Sequence, residues 1–258
     1  MNTPGPATIK ACCAAAYGSD AVALLLGETH HPGGLALTRR LARRLRLRPG
    51  DRVADIASGT GATARLLAGE YGVRVDAVDL RPSTVDRPGV HVHVGDAEQI
   101  PLPDSAFDAV LCECAFCTFP DKPAAAAELA RLLRPGGQLG LTDVTVTDRG
   151  LPAELTGPQA WVACIADARP ARAYEQLLRD AGLRITHTER HDQALVPMID
   201  QIEARLALLA GARVDVDVVR RYTRLARHAV DDGLIGYVLL TAERPSRSAP
   251  PSTARDAS

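Results

Sequence analysis

Three of the six cysteines of this chain lie close together, in the segment CECAFCTFPDK at residues 112–122. Cys114 and Cys117 follow a predicted strand, and ligands of open α/β sheets bind beyond the carboxyl ends of the strands. Cys112 lies deeper in that strand, where a small core residue is expected. Thiolates bind soft, thiophilic centres, whereas neutral cysteines behave as small hydrophobic residues. The segment therefore predicts either a thiol site or cysteines that only line an apolar pocket.

The other three cysteines lie far away in sequence. Cys164 is in QAWVACIADARP, on a predicted helix that carries Trp161 three residues earlier on the same face. Cys12 and Cys13 are adjacent in a segment expected to be mobile, and this spacing does not match the C-x₂₋₄-C pairs of zinc sites. It suits an ion that takes few thiol ligands, or a disulfide relay, and two incidental thiols are the alternative.

Groups that could act as a general base are few near this segment. Glu113 and the pair His30 and His31, in HHPGG, are the candidates, although a histidine in such a turn is more often structural. Aromatic residues are scarce at 3%, and core packing is the alternative to a site role for each of those near the cysteines. Those residues are Tyr17, Phe116, Phe119 and Trp161.

A glycine-rich turn provides a second set of candidates. DIASGTGATA places Gly59 and Gly61 between a buried strand and a helix, where a missing Cβ lets a ligand approach the backbone. Asp79 ends the next strand, where a carboxylate can accept hydrogen bonds from both ribose hydroxyls of a nucleoside. The turn lacks both the third glycine of a dinucleotide fingerprint and the Gly-Lys-Ser/Thr of a P-loop. We therefore expect a nucleoside cofactor without a pyrophosphate at this turn.

These residues must be positioned by alternating strands and helices, which predict a doubly wound, seven-stranded, mostly parallel α/β sheet. Only loop-like residues with two prolines follow Asp79, so the crossover to the third strand should be short or lack a helix. Strands are predicted at 53–56, 73–80, 90–96, 106–114, 138–144, 183–189 and 234–243.

The elements group into one main domain with additions. We expect a cysteine-containing helical cap at 1–34, a main domain at 35–243 with a helical insert at about 195–232, and a disordered tail at 244–258. The tail is rich in Pro, Ser and Ala, which is typical of disorder.

Composition limits the partners. The 258 residues carry a net charge of −1, with acidic and basic residues interspersed, so no nucleic-acid or anionic-membrane surface is indicated. Neither a signal peptide nor an apolar run of membrane-spanning length is evident. A cytoplasmic protein is expected, in which thiols stay reduced.

The ordered set VADIASGTG, AVDL, VGDAEQIPLPDSAFDAVLC and ELARLLRPGGQLGLTDV resembles the class I S-adenosylmethionine-dependent methyltransferases over about residues 35–243. The resemblance implies that residues 57–61 hold the methionine part of the cofactor, that Asp79 holds the ribose, and that Asp96 and Ala97 lie at the adenine. Ala57 departs from the family, whose members mostly have Gly there. The implied cofactor residues are Asp55, Ala57, Ser58, Gly59, Gly61, Asp79, Leu80, Asp96 and Ala97.

The segments CAFCTFPDK, LTDV and WVACIADA are similar to the arsenite methyltransferase branch of this family. The resemblance implies that Cys114 and Cys164 bind trivalent arsenic as substrate, with Cys12 or Cys13 as the N-terminal thiol and a cellular thiol as reductant. Cys117 stands where members often have Asn. Thiolate-bound arsenic keeps a lone pair that attacks the methyl group, so no strong base and no resident metal would be required.

Two alternatives stay open. One is a methyltransferase for an organic small molecule, in which cysteines only line the pocket, and which needs a base near the methyl group. The other is a non-catalytic thiol-based metal-binding protein that retains the nucleotide fold.

Overall fold

The computed structural model describes residues 5–155, 165, 167–209 and 215–246, and its centre is a sheet of seven strands. The sheet order is β3-β2-β1-β4-β5-β7-β6, and β7 alone runs antiparallel to its neighbours. This confirms the predicted doubly wound, mostly parallel sheet. The strands are β1 Arg52–Ile56, β2 Arg74–Asp79, β3 Val90–Val94, β4 Phe107–Glu113, β5 Leu133–Val146, β6 Arg184–Arg190 and β7 Ile235–Glu243.

Eight α-helices accompany the sheet within the described ranges. Residues 80–89, which join β2 to β3, contain no helix, as the two prolines predict. The helices are α1 Pro6–Tyr17, α2 Asp20–Leu26, α3 Gly34–Arg44, α4 Ala62–Tyr71, α5 Lys122–Leu132, α6 Ala171–Asp180, α7 Leu195–Arg205 and α8 Val216–Asp231.

The central strands are covered on both faces. Val53 and Ile56 of β1 and Val110 and Leu111 of β4 are fully buried, so these strands read as continuous apolar runs without alternation. Burial of both faces holds the strand ends rigidly. The carboxyl ends of β1, β2 and β4 therefore form a fixed edge on which a site can be built.

The N-terminal cap and the insert before β7 pack on each other. Leu25 of α2 and Leu206, which follows α7, form a second small apolar cluster, joined by Ile202 and Val219. No single helix in the described ranges is long and apolar enough to cross a membrane. The pair α1 and α2 reaches that length and hydropathy only together, with a bend of 65° between them.

The helical cap forms as expected, but the mobility of its cysteine segment and the start of the tail differ from the sequence expectation. The segment around Cys12 and Cys13, expected to be mobile, is a helix that packs on the domain and buries Cys13. Arg244 belongs to the fold and not to the tail, because its backbone N–H donates to Gly137 O at 2.9 Å and its guanidinium donates to Leu133 O. The tail from 247 onward lies outside the described residues.

Candidate active site

The first cavity, named here the cofactor cavity, lies at the carboxyl ends of β1, β2 and β4. The glycine-rich turn forms its floor, and α1 and the loop before α3 cover it. Seven of the nine residues predicted to bind a cofactor line it, and Gly61 and Asp96 do not. The seven are Asp55, Ala57, Ser58, Gly59, Asp79, Leu80 and Ala97.

The turn leaves room for a ligand at one position and closes on its own chain at another. A Cβ added to Gly59 would meet no atom within 4 Å, so the cavity is open there. A Cβ on Gly61 would lie 2.3 Å from Val85, so Gly61 is required for packing and for its left-handed backbone at the start of α4. Ala57 also has a left-handed backbone, with φ of 58°, which explains why glycine suits this position.

Asp79 ends β2 at the edge of the turn. Its Oδ2 accepts the Gly59 N–H at 2.9 Å, and its Oδ1 accepts the Arg81 N–H at 2.9 Å. A carboxylate offers about four lone-pair sites, so two remain for the hydroxyls of a ribose. The residue thus joins the turn to the expected nucleoside position.

Two more carboxyl groups lie deep in the cavity. Asp55 Oδ2 is buried without a hydrogen-bond partner in the described part of the chain. Burial, followed by the charges of Glu113 and Asp79, raises the pKa of Asp55 well above its usual range. Glu113 accepts hydrogen bonds from Thr38 Oγ1 at 3.0 Å and Thr63 Oγ1 at 2.6 Å. A cationic ligand would relieve the electrostatic cost of these buried acids.

Asp96 has a different place from the one expected. Its Oδ2 accepts a hydrogen bond from Lys10 Nζ of α1 at 2.6 Å, and Lys10 also pairs with Glu98. The neighbours Gly95 and Ala97 line the cavity instead. Asp96 therefore fastens α1 across the end of the cavity that Gly95 and Ala97 line.

The cysteines separate by depth. Cys112 is fully buried in the core, as predicted, and this burial raises the pKa of its thiol. Cys117, predicted at the mouth, is only 1% exposed and lines neither cavity. Its N–H donates to Asp143 Oδ2 and its carbonyl accepts from the buried Lys122, so the turn folds inward and the prediction is wrong.

The remaining thiols are spread over several elements. Cys114 lines the cofactor cavity and has a left-handed backbone, with φ of 54°. Cys13 lines the same cavity, whereas Cys12 is exposed. Cys164 and Trp161 lie outside the described residues. The described residues contain no group of three or more His, Cys, Asp or Glu side chains that could hold a metal ion.

A second, larger cavity of about 390 Å³ adjoins the first. Helices α2, α7 and α8 form most of its wall, so it lies between the N-terminal cap and the insert. Tyr17, His30 and Cys114 line both cavities and mark their junction. Its apolar wall includes Val22, Leu25, Leu26, Val144, Ile165, Leu195, Met198, Ile199, Ile202, Val218, Val219 and Ile235.

His30 is the only histidine or carboxylate of the described chain that lines both cavities. Its Nε2 is buried without a partner among the described residues, and its ring hydrogen-bonds the Gly27 backbone. Nδ1 is therefore the nitrogen that donates to Gly27, which leaves a lone pair on Nε2. Burial, followed by the charge of His31, lowers the pKa of His30, so the ring is neutral at pH 7.

Other elements hold the loop that carries His30. Gln201 Nε2 of α7 donates to Leu26 O at 2.6 Å, and the Arg205 guanidinium donates to Leu24 O at 3.3 Å. Thr60 Oγ1, in the glycine-rich turn, donates to Glu28 O at 2.8 Å. The insert and the turn thus jointly position His30.

Sequence reasoning undervalued His30 and missed Thr63 and Gln201 altogether. The sequence carried one signal for His30, since it follows a Gly–Glu–Thr break between two helical segments. The others gave none, because they reach the site only through packing of elements far apart in the chain.

The open face of Gly59, the free acceptor positions on Asp79 and the unpartnered Asp55 Oδ2 together fit a nucleoside that carries positive charge. With the seven-stranded topology, they define a class I S-adenosylmethionine-dependent methyltransferase.

Comparisons with known proteins agree. Residues 54–141 match the family model described as a methyltransferase domain. The chain is 30% identical over 225 residues to a 27-O-demethylrifamycin SV methyltransferase from Amycolatopsis mediterranei, covering 81% of this chain and 83% of that protein. It is 26% identical to an O-methyltransferase from Penicillium expansum, covering 84% of this chain and 80% of that protein. The chain belongs to the S-adenosylmethionine-dependent methyltransferases.

A solved structure shows the same fold. The geranyl diphosphate C-methyltransferase from Streptomyces coelicolor, in complex with Mg²⁺, geranyl diphosphate and S-adenosyl-L-homocysteine, superposes with a TM-score of 0.73. The sequences are 17% identical, and the match covers 93% of this chain and all of that one. As a member of the methyltransferase family shown above, the present enzyme uses S-adenosylmethionine as its cofactor.

Proposed function

We propose that this methyltransferase acts on a hydroxyl oxygen of a mainly apolar organic molecule. The observation that carries the proposal is the neutral ring of His30, whose Nε2 has no partner in the described part of the chain and lies at the junction of the cofactor cavity with an apolar cavity. The two relatives named above supply independent support, since their names describe oxygen methylation.

The chemistry of oxygen methylation requires a base. S-adenosylmethionine supplies an electrophilic methyl group on a sulfonium centre. A hydroxyl is a poor nucleophile until its proton is removed, and a positioned histidine with a pKa near or below neutrality suits that task. Nε2 of His30 would take the proton, and the negative charge of Asp79 would favour the resulting imidazolium.

The larger cavity sets the substrate class. Its volume of about 390 Å³ lies within the range of small-molecule sites. An apolar wall contributes binding energy through burial, and it leaves orientation to the few polar groups present. The substrate is therefore a compact or elongated hydrocarbon-rich molecule whose hydroxyl reaches the junction.

Arsenite stays the second candidate, because Cys13 and Cys114 both line the cofactor cavity. It has less support than oxygen methylation. Cys117 lies in the core and Cys12 is exposed. An arsenic lone pair attacks without losing a proton, so arsenite methylation would not need His30 as a base. The organic acceptor accounts for both the apolar cavity and the base.

Product analysis separates the two candidates. Purified protein is incubated with methyl-labelled S-adenosylmethionine and either a panel of apolar phenols and alcohols or As(III) with glutathione, and products are identified by mass spectrometry. We expect labelled methyl ethers. Methylated arsenic without any methyl ether, lost in Cys114→Ser, would establish arsenite instead.

His30→Gln tests the base directly. We expect a fall in kcat of about 10²- to 10⁴-fold, the usual contribution of general base catalysis, with unchanged S-adenosylhomocysteine binding. In the native enzyme kcat/KM should rise with pH to a plateau, with a midpoint below that of an ordinary histidine, because burial lowers the pKa of His30. His228→Gln is the matched control, since His228 is exposed on α8. A native-like pH profile in His30→Gln would refute the assignment.

A further inference from the structure

Helix α8 presents one face to the apolar cavity. The residues on that face follow helical spacing, so the helix forms a continuous wall. Tyr222 is the only aromatic residue among them, and it does not line the cofactor cavity. The lining residues of α8 are Val218, Val219, Tyr222, Thr223, Ala226 and Val230.

The Tyr222 hydroxyl stands out chemically. It is buried and has no hydrogen-bond partner among the described residues. The adjacent Thr223 hydroxyl is already committed, since it donates to Val219 O at 3.2 Å and Arg220 O at 3.0 Å within the helix. Leaving a hydroxyl buried and unpaired is destabilising, so a hydroxyl that no described residue pairs is suited to a polar group of a bound ligand.

Tyr222 can serve only as a neutral group. Burial raises the pKa of its hydroxyl, so the proton stays on the oxygen and is available for donation. A carbonyl or ether oxygen is the complementary group. A hydrocarbon ligand would fill the same space but leave this donor unpaired.

We infer that Tyr222 is a specificity residue that donates a hydrogen bond to a second polar group of the substrate, away from the methylated hydroxyl. The substrate class is then an apolar skeleton with a hydroxyl that reaches His30 and a carbonyl or ether oxygen that reaches Tyr222. The inference rests on the proposed function for the reaction, while the binding contact stands by itself.

Matched ligand pairs test the contact. The pairs are hydroxyanthraquinone with hydroxyanthracene, and estrone with its analogue that lacks the ketone, titrated by calorimetry with saturating S-adenosylhomocysteine present. We expect the native protein to bind the carbonyl member of at least one pair about five- to tenfold more tightly. Tyr222→Phe should abolish that preference, and the variant should bind the hydrocarbon member with the same affinity as the native protein.

The stability of the free protein gives a second readout. Because no described residue pairs with the Tyr222 hydroxyl in the free protein, Tyr222→Phe should leave the melting temperature unchanged or raise it by about 2–4 °C. Tyr71→Phe is the control, since its hydroxyl donates to Arg39 O at 3.2 Å far from the cavity, and it should lower stability without affecting ligand preference.

The outcomes are distinct. A carbonyl preference that survives in Tyr222→Phe, no binding of any carbonyl-bearing ligand to the native protein, or a melting temperature lowered as much as in Tyr71→Phe would each overturn the inference. Loss of the preference without methyl ether formation on any ligand would keep Tyr222 as an anchor and reject oxygen methylation.

Discussion

Asp79→Asn offers a quantitative test of how the cofactor is held. The carboxylate accepts one backbone N–H on each oxygen, from Gly59 and from Arg81, and retains one lone-pair site on each for the ribose. An asparagine keeps a single acceptor oxygen. Its NH₂ group faces a backbone N–H, so one backbone bond and one ribose bond are lost.

The size of the effect follows from this count. A hydrogen bond to a charged acceptor contributes about 1.5–3 kcal/mol, so the loss of one ribose bond should weaken cofactor binding about 10- to 150-fold. Titration calorimetry with S-adenosylhomocysteine measures this change without turnover. The expected kcat at saturating cofactor is much less affected, because Asp79 does not line the acceptor cavity and its charge is the smallest of the influences on the pKa of His30.

Asp86→Asn is the matched control, since Asp86 is exposed in the loop between β2 and β3 and the charge change is identical. It should bind the cofactor as the native protein does. If circular dichroism shows that Asp79→Asn is folded and its Kd is within twofold of the native value, the ribose is held elsewhere.

Two further predictions concern stability. Ala57→Gly should stabilise the fold by about 1 kcal/mol and raise the melting temperature by about 2–4 °C in calorimetry. The reason is that the strain energy of an alanine with a left-handed backbone exceeds the free-energy cost of ordering the more flexible glycine. A lower melting temperature would contradict this. Hydrogen bonds from Arg40, His187 and His191 hold the pKa of Glu189 well below its usual range. The ionised carboxylate therefore stabilises the fold above about pH 4.5, and this contribution is lost as the pH falls. Glu189→Gln should be about 1 kcal/mol less stable at pH 7 in urea unfolding but should lose less on acidification, and equal acid sensitivity in both proteins would argue against the pairing.

Much of the fold was predictable from local patterns. The apolar run that forms β1, the glycine turn and Asp79 lie within one short βαβ unit, so their geometry follows from neighbouring residues. The missing crossover helix was also evident, since two prolines occupy residues 80–89.

The cysteine cluster shows the limit of such patterns. Spacing placed Cys114 at the strand end, and it lies at the junction of the cavities. Spacing could not reveal that Lys122 and Asp143 draw the following turn into the core, which buries Cys117. Those contacts join residues that are adjacent only after the sheet has formed.

By itself, the sequence determined the sheet, the nucleoside turn and the family, because each depends on periodicity and on backbone demands expressed within a few residues. The tertiary structure alone decided the acceptor site. His30, Cys114 and Tyr222 come from three distant segments, and the packing of the cap on the insert creates both the apolar cavity and the environment that keeps His30 neutral.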